Sequence, residues 1–132
     1  MKKQMIPAAV TLLLSLLAVI GCQTFLSPCV HEDGAFGACH WAGRALLGIG
    51  CVSCVLSAGV LCLKKARLGF YLSAVPVCLL GIFTPGGLID LCRMSTMRCR
   101  AVMQPAMIIL FSVMLVFSLI GAVLSAKEGK QC

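Results

Sequence analysis

Residues 105–125 read PAMIILFSVMLVFSLIGAVLS, and no formal charge occurs from 101 to 126, between Arg100 and Lys127. A helix rising about 1.5 Å per residue crosses a hydrocarbon layer of about 30 Å in roughly 20 residues. The stretch is long enough. From Met107 to Ile120 it lacks the apolar/polar alternation of a barrel strand, so it reads as a helix. Working back along the chain, the same gap in charge recurs between Lys3 and Glu32, over 45–63 and over 68–89. These four gaps predict spans at about 5–25, 42–62, 68–85 and 105–125. The expected fold is all-α, a four-transmembrane-helix bundle forming one integral membrane domain over 1–132. Composition agrees: 61% of residues are hydrophobic, 11% are charged and mean hydropathy is +1.07. A soluble domain carries about 25% charged residues, so an ordinary cytosolic enzyme is excluded.

Lysine and arginine placement gives a direction. With both termini inside, Lys2, Lys3, Lys64, Lys65, Arg67, Lys127 and Lys130 face the cytoplasm, and Arg44, Arg93, Arg98 and Arg100 face outward. Positive residues favour the cytoplasmic side, so an N-in/C-in arrangement in the plasma membrane is expected. Residues 26–41 and 86–104 become two outer loops, and 63–67 becomes a tight basic turn. The net charge of +7 reads as topology and contact with anionic lipid, with no basic face for nucleic acid. Trp41 at the outer side and Tyr71 at the inner side suit interfacial anchoring. Pro7 and Pro105 fall near span starts, where a missing N–H costs little. Pro76 is expected to kink the third span, and Pro85-Gly86-Gly87 to end it. The opening, Met1-Lys2-Lys3 followed by an apolar run and Val19-Ile20-Gly21-Cys22, also has the form of a lipoprotein signal; cleavage there would leave three spans.

Ten cysteines fall into three groups. Cys29, Cys39, Cys92 and Cys99 lie in the two outer loops, where an oxidising exterior favours disulfides. They allow three pairings. Cys22, Cys51, Cys54, Cys62 and Cys78 lie within spans, and Cys132 is terminal. A metal reading gathers Cys29, Cys39, His40, Cys92 and Cys99, with His31 in reserve, as tetrahedral zinc ligands. Met94 and Met97 add thioethers that suit copper(I). The Cys51-Val52-Ser53-Cys54 pair lies about 15 Å below the outer surface, where a thiolate is costly. Gly50, Cys54, Ala58 and Cys62 recur at i+4, as a small-residue packing stripe does. No phosphate-binding glycine loop, zincin helix or acidic pair within a span is present. Arg44 is expected to snorkel, or to pair with Glu32, Asp33 or Asp90.

Three blocks then stand out. Gln23-Thr24-Phe25, Cys29, Asp33-Gly34, Cys39-His40-Trp41 and Gly48-Ile49-Gly50 form the first. Arg67-Leu68-Gly69 is the second, and Cys92 with Met97-Arg98-Cys99 and Pro105-Ala106 is the third. In this order they resemble the bacterial four-span membrane proteins grouped as domain of unknown function 4418. The resemblance implies that Cys29, Cys39, Cys92 and Cys99 are the family's outer cysteines, and that His40, Trp41, Met97 and Arg98 belong to its signature. It implies no reaction. It also implies a genomic association with export-type transporters.

The expected function is therefore that of a small non-enzymatic membrane protein without a cofactor. It would be an accessory or assembly subunit of a larger complex such as an export transporter, or a homo-oligomer. Two alternatives stand beside it. One is a membrane thiol-disulfide exchanger working through the outer-loop cysteines. The other is a copper- or zinc-binding protein drawing on the loop cysteines, His40, Met94 and Met97.

Overall fold

Four helices are each long and apolar enough to cross a membrane. The computed structural model describes residues 2–24, 38–90 and 99–130, with backbone alone at 38, 39 and 99. Helix α1 spans Lys2–Gln23, α2 Ala38–Cys62, α3 Arg67–Phe83 and α4 Gln104–Gly129. A single 3₁₀ turn, Lys64–Ala66, joins α2 to α3, and a π turn, Cys99–Met103, leads into α4. Each helix packs against its chain neighbour, and α4 closes against α1. The neighbours are antiparallel: Val19 meets Gly50 while Ser15 meets Cys54, and Tyr71 meets Gly121 while Gly81 meets Phe111. The result is a four-walled, up-down bundle of a multi-pass membrane protein.

The burial pattern is that of a protein whose solvent is lipid. Only 33%, 33%, 22% and 33% of the four spans lie inside the bundle. Ile6, Leu13, Val55, Phe83, Ile109 and Val123 all point outward. Hydroxyls within the spans turn back on their own helices, as Ser53 Oγ does to Ile49 O at 2.9 Å and Ser73 Oγ to Gly69 O at 2.9 Å. Such bonds pair a hydroxyl within its own helix, which lipid cannot do.

The helices differ from the expected spans by up to four residues at either end, α4 running on to Gly129. Helix α1 begins at Lys2 and runs through Pro7, which sits in the second turn; α2 begins at Ala38, ahead of 42. Charge gaps mark the hydrocarbon slab, whereas a helix also extends through the headgroup layer. Pro105 lies in the first turn of α4, where it was expected. Helix α3 continues through Pro76. A proline removes the N–H that Leu72 O would accept. Beside it an apolar groove of about 420 Å³ runs along Leu79, Leu80, Phe83 and Leu88.

Pro85-Gly86-Gly87 ends α3 as read. Leu88 N–H returns to Phe83 O at 2.9 Å, and Gly86 N–H donates to Ile89 O at 3.1 Å. Gly86 takes φ +91°, a conformation that costs an L side chain. The Gln104 amide at the head of α4 donates to Pro85 O at 3.4 Å and ties the turn to the next helix.

Large side chains find room where glycine stands opposite. Phe111 of α4 is fully buried against Gly81 of α3, where a Cβ would come within 2.7 Å of the ring. Tyr71 of α3 lies against Gly121 of α4 in the same way. Small residues that let backbones approach are the usual currency of helix association in lipid. Tyr71 thus departs from its expected role. It is 1% exposed and packs in the core, while Trp41 is 62% exposed.

Candidate functional site

The most developed polar arrangement lies at the end of the bundle where α1 begins, α3 begins and α4 finishes. Arg67 opens α3 and points inward, 8% exposed. Its Nε donates to Val60 O on α2 at 3.1 Å, and its Nη1 donates to Gln4 Oε1 on α1 at 3.0 Å. One turn further along α3, Tyr71 Oη donates to Gln4 O at 3.4 Å. One guanidinium and one phenol thereby link α3 to α1 across the bundle's diagonal and to α2 at its side. A buried cation is tolerated because its donors meet oxygen acceptors.

The cluster is incompletely satisfied. Gln4 is 3% exposed, and its Nε2 has no hydrogen-bond partner. The amide's orientation is fixed by chemistry: Arg67 only donates, so Gln4 Oε1 must face it and Nε2 must face away. Ser125 Oγ on α4 is also buried and unpartnered. Both residues line a cavity of about 660 Å³ whose other walls include Lys64, Lys65, Arg67, Leu68, Glu128 and Lys130. Four cations and one carboxylate thus line the same cavity as the two residues that carry unpartnered polar atoms.

The cysteines of the spans separate by environment. Cys22 and Cys78 are buried, Cys54 is half-buried, and Cys51 and Cys62 are exposed. All five are free thiols, so the Cys51–Cys54 pair is not a disulfide. Cys54 Sγ donates to Ser15 Oγ at 3.2 Å across the α1/α2 seam. The expected i+4 stripe divides accordingly. Gly50 and Cys54 pack on α1, whereas Ala58 and Cys62 face outward. A four-residue step exceeds the helical turn of 3.6, so the stripe rotates away from its partner.

The outer-loop reading falls largely outside the described residues. Cys29, His31, Cys92, Met94, Met97 and Arg98 lie there, and of Cys39 and Cys99 only the backbone is described. Cys39 stands in the first turn of α2, and Cys99 opens the π turn before α4. Among the described residues, no cysteine pair is bonded and no group of three or more His, Cys, Asp or Glu converges on a metal-sized site. His40 packs edge-to-face on Trp41, with ring centroids 6.0 Å apart. At the same end Gly86, Asp90, Arg100 and Gln104 line a small cavity of about 100 Å³.

The sequence profile described as Domain of unknown function (DUF4418) matches residues 11–124. The chain belongs to that family. No curated protein and no solved structure matches it. The DUF4418 segment contains Lys64, Lys65, Arg67 and Tyr71, whereas Gln4, Ser125, Glu128 and Lys130 lie beyond it. The basic cavity is thus built from four residues of the family segment and six of the flanking helix ends. Sequence reading placed Arg67 in a tight basic turn with Lys64 and Lys65. Its position in Arg67-Leu68-Gly69, at the very start of a span, was the available signal that it differs from Lys64 and Lys65.

Proposed function

We propose that this protein is a small non-enzymatic subunit that packs laterally against other membrane helices. It would serve as an accessory or assembly component of a larger complex such as an export transporter. One observation carries the reading, the seam that α2 turns away from its own bundle. Trp41, Arg44, Gly48, Cys51, Val55, Ala58 and Cys62 recur at alternating steps of three and four residues, and each is exposed. The space over Gly48 is open, with nothing within 4 Å of a Cβ placed there. Lipid tails solvate leucine as well as alanine, so small residues gain nothing by facing lipid; they admit a second backbone to close range. The three/four spacing suits a left-handed crossing.

The seven basic residues at the termini and the 63–67 turn support an N-in/C-in orientation in the plasma membrane. That orientation puts the α1–α2 and α3–α4 connections outside. Cys39 and Cys99 then begin the descending helices at one oxidising face. This shared end supports disulfide-pinned outer loops and, as a second reading, thiol-disulfide exchange there. Alkylation with and without reductant separates the two. Inert, oxidised cysteines support pinning, and a fast-reacting thiol among Cys29, Cys39, Cys92 and Cys99 supports exchange.

The test of the main reading is purification from mild detergent beside Gly48→Leu. The wild-type chain is expected to elute with a partner or a second copy, and Gly48→Leu to elute alone while still folded. A wild-type chain that elutes alone from several detergents overturns the reading.

A further inference from the structure

The cavity at the basic end asks for a ligand that supplies hydrogen-bond acceptors. Lys64, Lys65, Lys130 and Arg67 all line it. Ammonium and guanidinium groups donate and never accept. Gln4 Nε2, on a side chain 97% out of solvent contact by its 3% exposure, is a donor with no partner, and Ser125 Oγ is unpartnered beside it. A buried polar group left unpaired is a standing cost, so a native fold keeps one where something else completes it. The single carboxylate, Glu128, is outnumbered by four cations. Leu68 and Ala126 add apolar wall.

We propose that this cavity is a binding site for a phosphate group. A phosphate offers several acceptor oxygens and negative charge at once, which matches donors arriving from α1, the 3₁₀ turn, α3 and α4. About 660 Å³ exceeds what the group alone occupies, and leaves room for the moiety it is attached to. Basic pockets between membrane helices at headgroup depth hold anionic lipid phosphates by this chemistry. The same donors serve a phosphate arriving from the aqueous side. The proposal concerns the opposite end of α2 from Trp41 and does not rest on the subunit reading.

The full chain, purified in phospholipid-free nonionic detergent, is titrated with dioctanoyl phosphatidylglycerol, with dioctanoylglycerol as the phosphate-free control, and with inorganic phosphate. Saturable one-to-one binding of phosphatidylglycerol, absent for dioctanoylglycerol and weak for inorganic phosphate, assigns the site to a lipid headgroup. Equal binding of inorganic phosphate assigns it to a soluble phosphate. The exposed double variant Lys64→Gln/Lys65→Gln is expected to weaken binding about 30-fold. Ser125→Ala, which changes no charge, is expected to weaken it about tenfold. Binding that falls in the lysine variant but is unchanged in Ser125→Ala marks a diffuse basic surface and overturns the proposal. Failure of both phosphate probes to saturate overturns it as well.

Discussion

The two halves of the bundle's interior are held by different physics. Toward the Pro85 turn, the core is Ala18, Cys22, Leu46, Cys78, Met103, Met107, Phe111 and Met114, five of them carrying sulfur. Toward the Lys64 turn, it is Ala8, Val60, Tyr71 and Ala122, threaded by the Gln4–Arg67 hydrogen bond. The first half depends on shape. Methionine fills irregular gaps and tolerates rearrangement, so such a core accepts small shifts of one helix past another. The second half depends on direction. Gln4 reaches Arg67 only if α1 and α3 stand at one height, so the polar half sets the register that the apolar half leaves loose.

The contrast can be broken from either side. Phe111→Ala should have the largest effect. It empties the space against Gly81 in the apolar half and should cost about 3 kcal/mol, read by thermal or denaturant unfolding in detergent. A much smaller loss would mean that the surrounding methionines close the void. Arg67→Leu should cost about 2 kcal/mol, because Val60 O and Gln4 Oε1 lose their donor. Arg67→Lys should recover only part of this loss, since an ammonium lacks the fork that serves two acceptors. Equal stability of the Leu and Lys variants would show that the guanidinium's geometry contributes nothing. Tyr71→Phe should be the mildest, about 0.6 kcal/mol, because it removes one long hydrogen bond at 3.4 Å and keeps the ring against Gly121.

The same division governs what could be read from the chain. Spans follow from the absence of charge over 4–31, 45–63, 68–89 and 101–126, a one-dimensional property. So the four helices and the break at Pro85-Gly86-Gly87 were legible. Tyr71 was misplaced because depth along a span does not say which way a side chain points. Gln4 and Arg67 are 63 positions apart and meet across a diagonal, and no local pattern announces such a pair. The sequence reading gave the α2 stripe as Gly50, Cys54, Ala58 and Cys62; which residues of α2 face outward is knowable only once the other three helices are in place. The grouping of the loop cysteines, like their pairing, lies outside the described residues.

Helix α1 supplies Gln4, Ala8, Ser15, Ala18 and Cys22 to the interior, so it is a wall of the bundle as well as its first crossing. Peptidase trimming ahead of Cys22 would therefore do more than shorten the chain. It would open a slot from α2 to α4 along the whole bilayer, strand the Arg67 guanidinium without Gln4, and turn a closed barrel of staves into a trough.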